Sequence, residues 1–183
     1  MNPYQIRYTL ALFLALLSAA VATSTTAAAG KASFDAPVVS VSDGDTFTIK
    51  HCYGDHCQPE RIRLHYVDAP EVAKNRKEVN QPGGIEAKEF LTSLLKGKVV
   101  KISVVSKSYD RYVCDVTVGG RDAALSLVQH GHAMCDKRFK PTKELLDAEA
   151  EAKKNKVGQW KLGTPIEPKD WRAMSRIEQR KFQ

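Results

Sequence analysis

Residues 61–71 read Arg-Ile-Arg-Leu-His-Tyr-Val-Asp-Ala-Pro-Glu. Apolar residues at 62, 64 and 66 alternate with basic residues at 61, 63 and 65, and this period of two predicts a β-strand with one apolar and one basic face. Pro70 ends the strand, because proline lacks a backbone N–H for a sheet and forces the preceding residue into an extended conformation. Asp68 and Glu71 are therefore expected where the strand opens into a loop.

The end of this strand combines groups that phosphate-ester chemistry needs. Arg63 supplies a cation, Asp68 a potential metal ligand and Glu71 a potential general base. The alternative is an edge strand whose charges are solvated and whose proline is only a stop signal. A short motif fits both interpretations, so they can be distinguished only with the motifs found elsewhere in the chain.

The flanking sequence predicts a small barrel. Alternating apolar residues predict strands at 38–42 and 46–49, and the Asp43-Gly44-Asp45 turn between them makes a hairpin. The predicted order of elements is strand, strand, strand, helix, strand, strand, helix, helix, with a helix between the third and fourth strands. That order is typical of an OB-fold barrel, so we predict an α+β, mainly β fold with five strands and three helices. The later elements are helix 85–96, strands 99–105 and 111–118, and helices 122–130 and 143–156.

The N-terminus predicts export. Arg7 precedes an apolar run at 10–17, and Ala20-Val21-Ala22 fits the small-x-small pattern of a signal peptidase site. The rival interpretation is a retained membrane anchor, but the apolar run is short. We therefore predict a periplasmic or secreted monomer without stable membrane association after cleavage. The predicted segments are a signal peptide at 1–22, a flexible leader at 23–35, one domain at 36–160 and a C-terminal tail at 161–183.

The composition favours a polyanionic partner and disulfide bonds. The 183 residues carry a formal net charge of +7 and include four cysteines. Cys52 and Cys57 are close in sequence, and we predict that they pair, although with His51 and His56 they also fit a zinc site. The second predicted pair, Cys114–Cys135, follows partly by elimination. Two positions also support this pair. Cys114 lies on the inward face of the predicted fifth strand, and Cys135 follows the second predicted helix and its glycine turn.

Several spaced stretches between Val38 and Trp160 resemble the staphylococcal nuclease family and occur in the family's order. One departure lies at Tyr109-Asp110-Arg111, where the family usually has Tyr-Gly-Arg, and it adds a carboxylate beside an arginine. The matching stretches are Val-Ser-Asp-Gly-Asp-Thr (41–46), Arg-Leu-His-Tyr-Val-Asp-Ala-Pro-Glu (63–71), Gly-Ile-Glu-Ala (84–87), Leu-Val-Gln-His-Gly-His-Ala (127–133) and Val-Gly-Gln-Trp (157–160).

The resemblance implies a Ca²⁺-dependent nuclease and places its chemistry on particular residues. The catalytic residues would be Arg63, Glu71 and Arg111. The calcium ligands would be Asp45, Asp68 and the backbone carbonyl of Ala69, with Asp43 next to them but not bound to the metal. Calcium prefers such oxygen ligands, and arginines bind phosphoryl oxygens with charge-assisted hydrogen bonds. The residues implied to contact the substrate are Leu64, Tyr109, Val113 and Phe139.

The implied partner is DNA and/or RNA, bound with little sequence specificity in a basic groove. Two alternatives belong to other classes of protein: a non-catalytic OB-fold nucleic-acid-binding protein, and an exported protein that binds some other polyanion. All the positions that carry the chemistry are occupied in this sequence, which favours the endonuclease.

Overall fold

The computed structural model describes residues 33–182, so the predicted signal peptide and residues 23–32 of the predicted leader lie outside the described range. Within that range, the helices are all too short or too polar to cross a membrane.

Five long strands form a closed barrel. The strands are β1 (Ser33–Val41), β2 (Thr46–Tyr53), β3 (His56–Leu64), β4 (Val67–Asp68), β5 (Val99–Ser108), β6 (Arg111–Val118), β7 (Arg121–Asp122) and β8 (Met134–Cys135). The sheet order is β3-β2-β1-β5-β6-β7 with antiparallel neighbours, and a parallel pairing of β3 with β6 closes it, which confirms the predicted OB-type barrel. Two short strands, β4 and β8, pair separately beside it.

The three predicted helices are present as α1 (Gly84–Leu95), α2 (Ala123–Gln129) and α3 (Lys143–Lys154). Asp122 caps α2 and Thr142 caps α3 with side-chain oxygens that accept backbone N–H groups. Apolar residues of α1 pack on the inward residues of the barrel in one core. Fully buried members of this core include Phe47, Ile49, Ile62, Leu64, Leu91, Leu95, Ile102 and Leu127.

The first strand begins earlier than the sequence predicted. Residues 33–35, assigned to a flexible leader, belong to β1 and pair with β5, with Ser33 opposite Ser103. Phe34 packs against the core, so the leader boundary at residue 35 was wrong. The stretch does alternate, with Phe34, Ala36 and Val38 on the inward side, but it contains Pro37, a residue that disfavours strand interiors.

The predicted C-terminal tail is folded onto the domain. We call residues 163–182 the C-terminal segment; it contains two short helices, α4 (Pro168–Ala173) and α5 (Arg176–Gln179). Trp171 is 2% exposed, and the Gln81 side chain donates to the carbonyl of Ile166 at 2.7 Å. The segment therefore packs against the domain through the buried Trp171 side chain and a partly buried hydrogen bond.

The central strand ends before the proline. β3 stops at Leu64, and Tyr66 takes a left-handed conformation with φ of 69°, which turns the chain into β4. A left-handed φ is disfavoured for a bulky residue. Here the Tyr66 carbonyl accepts from Asp136 N at 2.7 Å, and its ring stacks on His65. The turn brings Asp68 back towards the end of β3.

The cysteines bear out one predicted pair and not the other. Cys52 and Cys57 lie opposite each other on β2 and β3 and form a disulfide, which leaves no thiolate of this pair for zinc. Cys114 and Cys135 are buried and free, so the predicted second disulfide was wrong. The reason is orientation, because the Cys135 thiol donates to the Leu145 carbonyl in α3 at 3.4 Å. Burial raises the pKa of both thiols to about 12.

Candidate active site

The Asp43-Gly44-Asp45 turn is held against the barrel by a close approach at its glycine. A Cβ on Gly44 would come within 2.7 Å of the Ala87 Cβ and 2.8 Å of the Ala69 Cβ. Since real Cβ atoms do not approach that closely, only glycine lets the turn press against α1 and the loop after β4. The packing fixes both carboxylates at one end of an open cleft of about 810 Å³.

Three of the predicted residues form a buried ionic cluster. Arg63 lies opposite Thr46 in the β3–β2 register, next to Asp45. Its guanidinium contacts Asp45 Oδ2 at 2.8 Å and Asp68 Oδ1 at 2.6 Å. Arg63 is 8% exposed, so its charge is not solvated as the alternative interpretation of the strand required. Burial opposes the charge, but the carboxylates of Asp45 and Asp68 outweigh it and raise the pKa of Arg63.

The Asp45 carboxylate is oriented by further hydrogen bonds. The Thr46 hydroxyl donates to Oδ1 at 2.7 Å, and the backbone N–H of Ala69 donates to Oδ2 at 3.2 Å. Leu64 N donates to the Asp45 carbonyl at 2.9 Å, which ties the turn to the end of β3. Asp45 and Asp68 are therefore brought together through Arg63, and Asp45 also contacts the Ala69 N–H; their role as calcium ligands with the Ala69 carbonyl stays a prediction.

Asp43 lies beside this cluster. Its Oδ1 accepts from Gly44 N at 2.9 Å and from Val72 N at 3.3 Å. Burial, with repulsion from Asp45 and Glu71, outweighs these hydrogen bonds and raises its pKa to about 7. Asp43 thus links the turn to the loop that carries Glu71. Its carboxyl group resists ionisation because the carboxylates of Asp45 and Glu71 are close to it.

The Glu71 backbone is positioned by a glycine and by a buried amide. A Cβ on Gly84 would lie 2.5 Å from the Glu71 carbonyl oxygen, so the first residue of α1 has to be glycine for this contact. Gln81, 2% exposed, accepts from Glu71 N at 3.1 Å and donates from its own N to the Glu71 carbonyl at 2.9 Å. The Glu71 carboxylate forms an ion pair with Arg172 of the C-terminal segment.

Arg111 faces the same cleft. The parallel register places it beside Arg61, one strand away from Arg63, and both Arg63 and Arg111 line the cleft. Burial, with the positive charge of Arg63, lowers the pKa of Arg111. Asp110, which replaces the family's glycine, turns to form an exposed ion pair with Arg61. The left-handed residue of the turn is Tyr109, with φ of 52°.

The residues expected to contact the substrate divide into three groups. Val113 and Phe139 line the cleft, and the Phe139 ring meets the His65 ring edge-on at 5.1 Å. The Leu64 side chain is fully buried in the core and does not line the cleft, so only its backbone could meet the substrate, and that contact stays a prediction. Tyr109 lies at the β5–β6 turn with 99% of its surface exposed, and its contact with substrate stays a prediction.

The donor set has the chemistry that a hard cation requires. Among residues 33–182 there is no cluster of three or more His, Cys, Asp or Glu side chains arranged to hold a metal. Calcium, however, also accepts backbone carbonyls and waters beside carboxylates. The Asp45 and Asp68 carboxylates, both nearly buried and partnered by guanidinium groups, and the adjacent Ala69 backbone are of that kind. The residues present therefore fit calcium.

Sequence reasoning missed two residues of the site. Gln81 holds Glu71 from inside a polar loop, and Arg172 reaches the carboxylates from a segment predicted to be a tail. Neither belongs to a periodic pattern or to a motif. Pro168 at the start of α4 and the apolar Trp171 were the signals that this segment folds.

Comparison with known proteins agrees with this architecture. Residues 61–162 match the family described as "Staphylococcal nuclease homologue". An "Uncharacterized endonuclease" of Haemophilus influenzae is 30% identical over 76% of this chain and 74% of its own length. "Endonuclease Htp3" of Saprolegnia parasitica is 32% identical over 74% of each chain. The "Probable staphylococcal-like nuclease CAN3" of rice, Oryza sativa, is 31% identical over 76% of this chain, which spans only 33% of that longer protein. The closed barrel, the matched domain and these relatives show that the chain belongs to the staphylococcal nuclease family.

Proposed function

We propose that this phosphodiester hydrolase of the staphylococcal nuclease family is a calcium-dependent nuclease that cleaves DNA and/or RNA with little sequence specificity. The observation that carries the proposal is the buried Asp45–Arg63–Asp68 cluster. Its Asp45 and Arg63 line one cleft with Glu71 and Arg111, while Asp68 contacts Arg63 from beside that cleft. The cleft brings together acidic oxygens, two arginines and a potential base from four separate parts of the chain.

The arginines would bind the scissile phosphate. Arg63 and Arg111 lie on adjacent strands and face the cleft, where guanidinium groups form charge-assisted, often bidentate hydrogen bonds to phosphoryl oxygens. Negative charge grows on those oxygens as water adds to phosphorus. Donors already aimed at that charge stabilise the transition state more than the ground state.

Glu71 would act as the general base. Its carboxylate lies in the cleft, and its backbone is fixed by Gln81 and by the close contact with Gly84. From this position it would accept a proton from the attacking water. Asp45, Asp68 and the Ala69 carbonyl would hold calcium, which when bound neutralises phosphate charge and polarises the phosphoryl group.

Low sequence specificity follows from the groups in the cleft. Its lining is mostly charged or small polar, and such groups bind the sugar–phosphate backbone without reading bases. Phe139 offers one ring on which any base could stack. We propose that the protein acts after export, in the periplasm or outside the cell, in keeping with its disulfide between Cys52 and Cys57.

A nuclease assay tests the proposal. Purified protein is incubated with single-stranded DNA, double-stranded DNA or RNA, in calcium or in excess EGTA, and acid-soluble nucleotides are measured. We expect release from at least one substrate in calcium and none in EGTA. Binding without cleavage in both conditions would instead support the non-catalytic nucleic-acid-binding alternative.

A further inference from the structure

The C-terminal segment places Arg172 on the acidic side of the cleft. Arg172 Nη2 lies 2.8 Å from Asp68 Oδ2, and its Nη1 lies 3.2 Å from Asp68 Oδ1. The same Nη1 forms an ion pair with Glu71 Oε1. One guanidinium therefore bridges the proposed metal ligand and the proposed general base.

This contact is built into the fold. Trp171, the residue before the arginine, is buried, and its carbonyl accepts from the Gln179 side chain at 2.9 Å. The Gln81 side chain donates to Ile166 in the same segment while it also accepts from Glu71 N. The segment that carries Arg172 and the loop that carries Glu71 are therefore parts of one hydrogen-bonded unit.

Both oxygens of Asp68 are already engaged by guanidinium groups. Oδ1 contacts Arg63 at 2.6 Å and Arg172 at 3.2 Å, while Oδ2 contacts Arg172 at 2.8 Å. A divalent cation that takes Asp68 as a ligand needs at least one of these lone-pair directions. It would also meet the positive charge of a guanidinium at close range, and like charges disfavour each other.

Of the two guanidinium groups, Arg172 is the one that can leave. Its side chain is 38% exposed, whereas the Arg63 side chain is 9% exposed and enclosed between Asp45 and Asp68. Exposed ion pairs contribute little stability, because water solvates both partners once they separate. Since Arg172 lines the same cleft as Arg111, release from Asp68 would leave it beside the phosphate groups of a bound nucleic acid.

We propose that Arg172 is a built-in cation of the active site, which occupies Asp68 and Glu71 when no metal is bound and competes with calcium for Asp68. The proposal rests on the proposed calcium-dependent function. It assigns the C-terminal segment a part in setting the calcium requirement, and it makes Arg172 a residue that acts through Asp68 and Glu71.

The test is a calorimetric titration of calcium into metal-free protein, without substrate. Arg172→Gln removes the competing charge, so we expect calcium to bind about two- to fivefold more tightly than to the wild type, the range for a partly exposed ion pair. Arg172→Lys keeps the charge but loses the two-pronged contact with Asp68, so its calcium affinity should lie between those of the wild type and Arg172→Gln. The matched control is Arg180→Gln, the same change at an exposed arginine of the same segment outside the cleft.

A purely structural role predicts different results. If Arg172 only tethers the segment, Arg172→Gln lowers the unfolding temperature but binds calcium with the same affinity as Arg180→Gln. That result would refute competition between Arg172 and calcium. If the wild type binds calcium and cleaves nucleic acid while Arg172→Gln has unchanged affinity, the inference fails and the proposed function stands. If neither protein binds calcium, both fail. If only Arg172→Gln binds calcium, the competition is supported and the wild-type calcium requirement is wrong.

A second measurement does not depend on how Arg172→Gln folds. The guanidinium resonances of arginine in the ¹⁵N-labelled wild type are followed by NMR during a calcium titration, and Arg172 is assigned from the Arg172→Lys spectrum. We expect the Arg172 signal to shift or broaden at the calcium concentrations that saturate binding. A signal that does not change at saturation would contradict displacement.

Discussion

At the scale of single residues, the arginines of the cleft differ in what surrounds them. Arg63 is buried between Asp45 and Asp68, so it balances their charge in the folded chain in addition to its proposed role at the phosphate. Arg111 is only partly buried and has a like-charged neighbour in Arg63, so its charge contributes less to holding the fold together. Removal of the two should therefore have different effects on stability.

Arg111→Ala should lower turnover by about 100- to 1000-fold, because one donor aimed at developing charge is lost. Affinity for DNA should change much less, because many other cationic residues also bind the DNA. The free energy of unfolding should be almost unchanged. Steady-state kinetics measure turnover and affinity, and denaturant unfolding of the same variant serves as the control for stability. An Arg111→Ala protein with normal turnover would show that another group, such as Arg61, serves the phosphate.

Arg63→Ala should lower turnover similarly but should also destabilise the metal-free fold, by about 3–5 kcal/mol, because two buried carboxylates lose their counter-charge. Calcium should restore part of that stability by supplying positive charge at the same place. Thermal unfolding with calcium and with EGTA measures the difference. Equal losses in both conditions would contradict the shared site.

Asp43 predicts a pH dependence of stability. Its pKa in the folded chain is about 7, above the 3.8 of an unperturbed aspartate, so the folded chain binds this proton more tightly than the unfolded chain. The free energy of unfolding should therefore fall as pH rises from about 4 to about 7 and then level off. Asp43→Asn cannot ionise and should be more stable than the wild type by about 1–3 kcal/mol at pH 8, but not at pH 4. Urea unfolding at both pH values, without calcium, checks this, and equal stability at pH 8 would contradict it.

At the scale of elements, the site depends on where strands end and α1 begins. β2 starts at the Asp-Gly-Asp turn, β3 ends beside it, and the first residue of α1 contacts the Glu71 backbone.

Gly84→Ala should push the Glu71 backbone away from the helix. It should lower the free energy of unfolding by about 1–3 kcal/mol and also lower turnover. Ser93→Ala, a small change at an exposed position of the same helix, is the control. Unchanged turnover in Gly84→Ala would show that Glu71 tolerates the shift.

Local periodicity predicted the elements well and their connections poorly. Alternation identified β2, β5 and β6, and helical spacing with capping residues identified α1 to α3, because these signals lie within a few neighbouring residues. The bend at Tyr66 was missed, because its left-handed φ depends on Asp136, which is distant in sequence. The false Cys114–Cys135 pair has the same origin, since burial of two cysteines does not fix the direction of their thiols.

At the scale of the whole molecule, the site extends across the chain. Residues of the hairpin turn, the central strand, the loop before α1 and the C-terminal segment all reach one cleft, and the Arg172–Asp68 contact joins residues separated by 104 positions. The resemblance supplied Arg63, Glu71, Arg111 and the acidic residues, because their motifs are short and local. It could not supply Arg172, which lies beyond the region of resemblance.

The most direct test of the central claim is the initial rate of single-stranded DNA cleavage as a function of free calcium, for the wild type and for Glu71→Gln. We predict no cleavage by the wild type in EGTA and a saturable rise with calcium. At saturating calcium and substrate, Glu71→Gln should be about 100-fold slower or more, because it lacks the basicity needed to take a proton from water. Wild-type cleavage that is undiminished in EGTA, or a Glu71→Gln protein within a few-fold of the wild type, would contradict the account.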